Sequence, residues 1–113
     1  MEFYYDLDGT PITREQWSEM YAVREHSRSA APDGQSTPAN DPTRIGSDHV
    51  GNAWVSTVWV GIDMGYRNDP PVIFETMIFG GEHDQFCERY CTKESALAGH
   101  DRIVTVLREG SEP

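Results

Sequence analysis

Lysine is almost missing from this chain: of nine basic residues only Lys93 is a lysine, and the other eight are arginines. That bias reads as the codon signature of a GC-rich genome. Long apolar runs are missing too, since none approaches the roughly 18 to 20 residues needed to span a bilayer, which excludes a membrane helix. The start, Met-Glu-Phe-Tyr-Tyr-Asp, lacks the basic and apolar stretches of a signal peptide. A cytoplasmic protein is expected. Cysteine is scarce, with Cys87 and Cys91 alone, and in a reducing compartment both should be free thiols. Positive charge is scarce as well: 19 acidic residues against nine basic ones give a net charge of −10. Such a chain repels phosphates, which argues against direct nucleic-acid binding. A protein partner fits better, either basic or itself a DNA-binding protein.

What is present suffices for one core. A length of 113 residues suits a single domain, and three Trp, four Phe and five Tyr bring much buried area per residue. Residues 2 to 7 have the aromatic, extended character of a short strand, and Asp8-Gly9 with Pro11 punctuates a turn. Thr13 and Gln16 fit a capping box, predicting a helix to about Ala22 with Trp17, Met20 and Tyr21 on one face. Between about residues 29 and 52 the sequence turns to Ala, Pro, Asp, Gly, Ser and Thr, with Pro32, Pro38 and Pro42. This predicts a mobile insert. Joining Ala30 to Asp48 with a short linker is therefore expected to leave the melting temperature nearly unchanged.

Trp54 to Val60 and Val72 to Phe79 are β-branched and aromatic runs that end at glycine, so they predict two central antiparallel strands. Phe86 to Cys91 predicts a shorter third strand. Thr92 should cap a last helix, whose Ala96, Leu97, His100, Ile103, Val104 and Leu107 form an apolar stripe. Residues 110 to 113 are expected to be a short disordered tail. The implied fold class is α+β: an antiparallel sheet of three to four strands covered on one face by two helices.

Several residue sets could carry chemistry. Asp6-Leu7-Asp8-Gly9-Thr10 resembles the signature of haloacid dehalogenase-type phosphatases, in which Asp6 would be the nucleophile and Asp8 the general acid. That chemistry also needs Mg²⁺, further acidic ligands and a lysine on a doubly wound fold. The remainder of this chain supplies none of that architecture, and Asp-Gly is a common turn. His83, Cys87, Cys91 and His100 have zinc-binding side chains but no zinc-site spacing. No metal or other cofactor is expected. Glu75 interrupts an apolar strand and shares a period-two face with Ile73, Met77 and Phe79, while Ser56 and Thr57 lie on the neighbouring strand. With His100 these could line a small ligand pocket; alternatively Glu75 is solvated or pairs with Arg89 or Arg24. Tyr66 and Arg67 mark a hairpin tip of the kind that anchors interfaces.

The phrases Trp54 to Asp63, Pro70 to Phe79 and Glu88 to Thr92, with Ala96, Gly99 and His100, resemble small uncharacterised proteins of phages and prophages from high-GC Gram-positive bacteria. The likeness covers roughly residues 3 to 22 and 53 to 108 and leaves out the insert. It implies an origin and no mechanism. The leading functional expectation is an accessory protein that binds a host protein stoichiometrically, with inhibition of a defence or regulatory factor as one outcome. A small ligand-binding or enzymatic domain with its pocket around Glu75 is the alternative. Imitation of DNA ranks below both, because the carboxylates are scattered.

Overall fold

The computed structural model describes residues 4–30, 43–63 and 71–113, with side chains from 23 to 30 left aside. In chain order the elements are β1 (Tyr4–Tyr5), β2 (Pro11–Ile12), α1 (Arg14–Ala30), β3 (Arg44–Val50), β4 (Ala53–Trp59), β5 (Phe74–Phe79), β6 (Cys87–Tyr90) and α2 (Lys93–Arg108). Strands β3 to β6 form one antiparallel sheet in sequence order, and β1 pairs with β2 in a separate two-stranded sheet. The fold is α+β, as the patterning predicts.

Alternation along β4 and β5 decides where the core lies. Val55, Thr57 and Trp59, with Phe74, Thr76 and Ile78, are all buried. Helix α2 packs against all four strands of the sheet. It brings Ala96, His100, Ile103 and Val104 into the interior, while Leu97, predicted on its apolar stripe, is 42% exposed. The Thr92 hydroxyl accepts the Ser95 amide at 3.0 Å and caps the helix as expected. The other end is tied down more firmly than the sequence suggests. Gly110, with φ +75°, and Ser111 donate their amides to the Leu107 and Val106 carbonyls at 3.0 and 2.8 Å, a Schellman closure. The stretch read as a disordered tail thus begins with two hydrogen-bonded residues.

The capping box at α1 forms in both directions. The Gln16 amide donates to the Thr13 hydroxyl at 3.1 Å, and the Thr13 amide donates to the Gln16 side chain at 2.9 Å. The helix runs to Ala30, beyond the predicted Ala22. It packs beside β1: the Trp17 ring contacts Tyr4 and Tyr21, and its indole donates to the Val60 carbonyl at 2.9 Å. Asp6 explains the Asp-Gly motif. Its carboxylate accepts the amides of Asp8 and Thr10, each at 2.9 Å, so it is committed to closing the turn between β1 and β2.

The largest departure from the sequence reading is β3. Residues 44–50 fall inside the segment expected to be a mobile insert, yet they pair with β4 along their whole length. Thr43, Arg44 and Ile45 are buried. A register irregularity between Arg44 and Gly46 hides the alternation, and Gly46 and Asp48 are poor strand formers. The insert thus does not extend to residue 52, and joining Ala30 to Asp48 would cut into this strand, which reverses the outcome expected of that deletion. Residues 31–42 of the insert, together with Tyr66 and Arg67, lie outside the described residues.

Candidate functional site

The sheet has an inner face under α2 and an outer face on which Arg44, Ser56 and Val58 are buried and which Tyr21 of α1 borders at one side of a concavity. Register sets the outer face in rows. Arg44, Val58, Glu75 and Arg89 stand in one row; Ser47, Ser56, Met77 and Cys87 in the next; His49, Trp54 and Phe79 in the third. A concavity of about 270 Å³ opens among Arg44, Trp54, Ser56, Glu75, Met77 and Phe79. Its aromatic wall is the pair Trp54 and Phe79, with centroids 5.2 Å apart. The Arg44 guanidinium lies 5.1 Å from the Trp54 ring centroid and donates to the Ser56 hydroxyl. Such a stacked cation is held by the ring's negative face.

Ser56 and Glu75, both expected at a pocket, do meet at this one. Thr57 and His100 do not: both are buried on the inner face, since consecutive strand residues point to opposite sides. Ile73, expected to share a face with Glu75, is buried in the core cluster instead.

Glu75 has partners. Arg89 Nε lies 3.9 Å from its carboxylate, and the Cys87 thiol donates to it at 3.4 Å. Arg89 is about half exposed, so this pair contributes little to stability. Partial burial, and after it the negative charge of Glu75, push the Cys87 thiol above its ordinary value. Removing that charge should favour the thiolate, the form that reacts. In a Cys91→Ser background, Glu75→Gln should therefore alkylate severalfold faster with iodoacetamide at pH 8. Equal rates would mean the carboxylate does not govern the thiol.

The inner face carries a second constellation that sequence reasoning missed as a unit. Asp48 Oδ2 lies 2.7 Å from His100 Nε2, and His100 Nδ1 lies 2.7 Å from Thr57 Oγ1. Thr57 meets Thr76 Oγ1, and the Tyr90 hydroxyl stands 3.0 Å from Thr76 and 3.1 Å from Glu88 Oε2. Glu88 pairs in turn with Arg102. An acid, an imidazole and a hydroxyl in line have the composition of a nucleophilic triad. Thr57 is fully buried, however, and does not line the outer-face concavity, so among the described residues this hydroxyl has no route to a substrate there.

Two glycines make the constellation possible. A Cβ at Gly46 would stand 2.8 Å from the His100 ring, and one at Gly99 would stand 2.4 Å from the Tyr90 ring. Burial pushes the Tyr90 hydroxyl up to about 12, with the charge of Glu88 adding to it.

Among the described residues no group of three or more His, Cys, Asp or Glu could hold a metal ion, and His83, Cys87 and Cys91 do not form such a set. Both cysteines are free thiols. No helix among the described residues is long and apolar enough to cross a membrane. No family model, no curated protein and no solved structure matches this chain. Arg44 escaped the sequence reading because it sits in the segment taken as an insert. The alternation Trp54, Ser56, Val58 was the available signal for an outer face.

Proposed function

We propose that this chain acts by stoichiometric binding: a phage-type accessory protein that holds a host protein in the host cytoplasm through the outer face of its sheet, inhibiting a defence or regulatory factor. The observation that carries the reading is the aromatic row on that face, where Phe79 stacks on Trp54 and still leaves 42% of its surface exposed. Aromatic side chains that combine rigidity with exposure are the usual anchors of interfaces. The buried Arg44 guanidinium lies against the Trp54 ring of that row.

The test compares wild type with Phe79→Asp, both tagged, in capture from a lysate of a high-GC Gram-positive host. Phe79 is exposed, so the variant should melt as wild type does while losing the captured protein. A partner retained by the folded variant, or no partner for either protein, overturns the proposal.

The outer-face concavity favours a second reading. Ser56 and Glu75 share it with Arg44, and at about 270 Å³ it falls just below the range typical of drug-sized ligands. A ligand the size of one amino-acid residue fits. Native mass spectrometry of the protein as purified should then show an added mass that Glu75→Gln loses. Imitation of DNA gains no support here, because Glu75 is the sole carboxylate in the three rows of the outer face.

A further inference from the structure

The concavity on the outer sheet face is lined by one positive and one negative group, and they come from different strands. Arg44 stands on β3 and Glu75 on β5, each opposite Val58 of β4, so their Cα atoms lie two strand spacings, about 10 Å, apart. Arg44 is 5% exposed, with its guanidinium hydrogen-bonded to Ser56 and laid against the Trp54 ring. The Glu75 carboxylate accepts the Cys87 thiol from β6, and its side chain is 17% exposed. Val58, Met77 and Phe79 line the same space, and all three are apolar.

Both charges bear on what such a space accepts. Arg89, the other cation near Glu75, does not line it and is 54% exposed, so solvent screens its charge. The lining itself sums to zero. An anion alone would pair with Arg44 but bring its charge toward Glu75, and a cation alone would do the reverse. An uncharged apolar ligand would strip water from both groups and return no hydrogen bond, which opposes binding. A ligand that carries both charges satisfies each. A guanidinium presents five N–H donors in a flat fork that suits a carboxylate. A carboxylate has about four lone-pair sites, so Glu75 can accept an ammonium beside the Cys87 thiol.

We propose that the concavity binds a free α-amino acid with an apolar side chain. Its carboxylate meets Arg44, its ammonium meets Glu75, and its side chain lies against Met77 and the pair Trp54 and Phe79. This inference rests on the small-ligand reading of the concavity and names the chemical class of that ligand. The volume of about 270 Å³ admits an amino acid of medium size, such as methionine or phenylalanine. The aromatic wall favours those two over a polar side chain, which would have to give up its water there.

Four probes test the two charges separately: L-phenylalanine, L-methionine, 3-phenylpropionate, which lacks the ammonium, and 2-phenylethylamine, which lacks the carboxylate. The reporter is the Trp54 indole N–H in nitrogen-15 spectra, assigned through Trp54→Phe; this group donates to Ser47 beside the concavity at 2.8 Å. Both amino acids should shift that signal at millimolar concentration. Each single-charge analogue should bind at least about tenfold more weakly, the effect of losing one hydrogen-bonded charge. In Glu75→Gln, checked by its melting curve to be folded, the preference should reverse, with 3-phenylpropionate binding at least as tightly as L-phenylalanine. An analogue that matches L-phenylalanine on wild type, or a folded Glu75→Gln with unchanged preference, overturns the amino acid and leaves the small-ligand reading standing. So does a mass bound to the purified protein that belongs to another compound. No response to any of the four probes, together with a clean mass, overturns both.

Discussion

Joining Ala30 to Asp48 through a short Gly-Ser linker should abolish cooperative unfolding. The cut removes residues 31–47, among them buried Thr43, Arg44 and Ile45 and most of β3. Three losses coincide. The outer edge of β4 is left without its partner strand, which exposes a row of backbone groups. Ile45 leaves the cluster around Trp59, Ile73 and Phe74. Arg44 no longer braces Trp54 or donates to Ser56. A domain of this size is stable by only about 5 to 15 kcal/mol, and the cut takes Arg44 to Ser47 out of β3 together with the buried Thr43. The measurement is a urea titration followed by tryptophan fluorescence. A cooperative transition within a few degrees or a few tenths molar of wild type would show that β3 is dispensable.

Trp59→Ala should cost about 3 to 5 kcal/mol, the range for truncating a buried aromatic side chain. Trp59 is fully buried at the end of β4, and its indole donates to the Tyr5 carbonyl at 3.1 Å, so the substitution loses packing and orphans an acceptor. The surroundings cannot collapse easily into the space. Gly61, at φ +78°, passes so close that a Cβ there would lie 2.2 Å from the Trp59 ring, and Trp17 stands on its other side. The backbone has been shaped around this indole. The denaturation midpoint should fall with the slope unchanged, whereas Phe79→Ala on the exposed row should change stability by no more than about 0.5 kcal/mol. A Trp59→Ala loss below about 1 kcal/mol would contradict the packing described.

Sequence patterning revealed those elements whose burial is hydrophobic. β4 and β5 carry β-branched and aromatic residues, and α2 carries an apolar stripe behind a threonine cap; each forms within a few residues of its expected place. β3 hid because between Ile45 and Val50, which reach the core, its inward positions are Gly46 and Asp48, one making room for an imidazole and the other bonding to it. The fit of this middle stretch is polar and depends on His100, more than fifty residues away, so no local period could disclose it. β2 hid because two residues, one of them proline, read as a turn. The pocket was half legible: Glu75 stood out as a carboxylate in an apolar strand, but separating Ser56 from Thr57 required knowing which side of β4 the helix covers.

The way the amino-terminal part is fastened bears on how the molecule opens. β1, β2 and α1 reach the large sheet chiefly through its end: a single bridge of Tyr4 with Ile62, the Tyr5 amide on Gly61, the Trp17 indole on Val60 and the Trp59 indole on Tyr5. All of these converge on a span of four residues, Trp59 to Ile62. Helix α2, in contrast, packs on every strand. The amino-terminal part also packs its Tyr5, Leu7, Ile12, Trp17, Met20 and Tyr21 on the core cluster around Trp59 and Phe74, yet with fewer ties to the strands than α2 it is expected to open before the meander and its helix do. Amides of β1 and β2 then exchange with solvent through this partial opening, and those of β4 and β5 only when the whole domain comes apart.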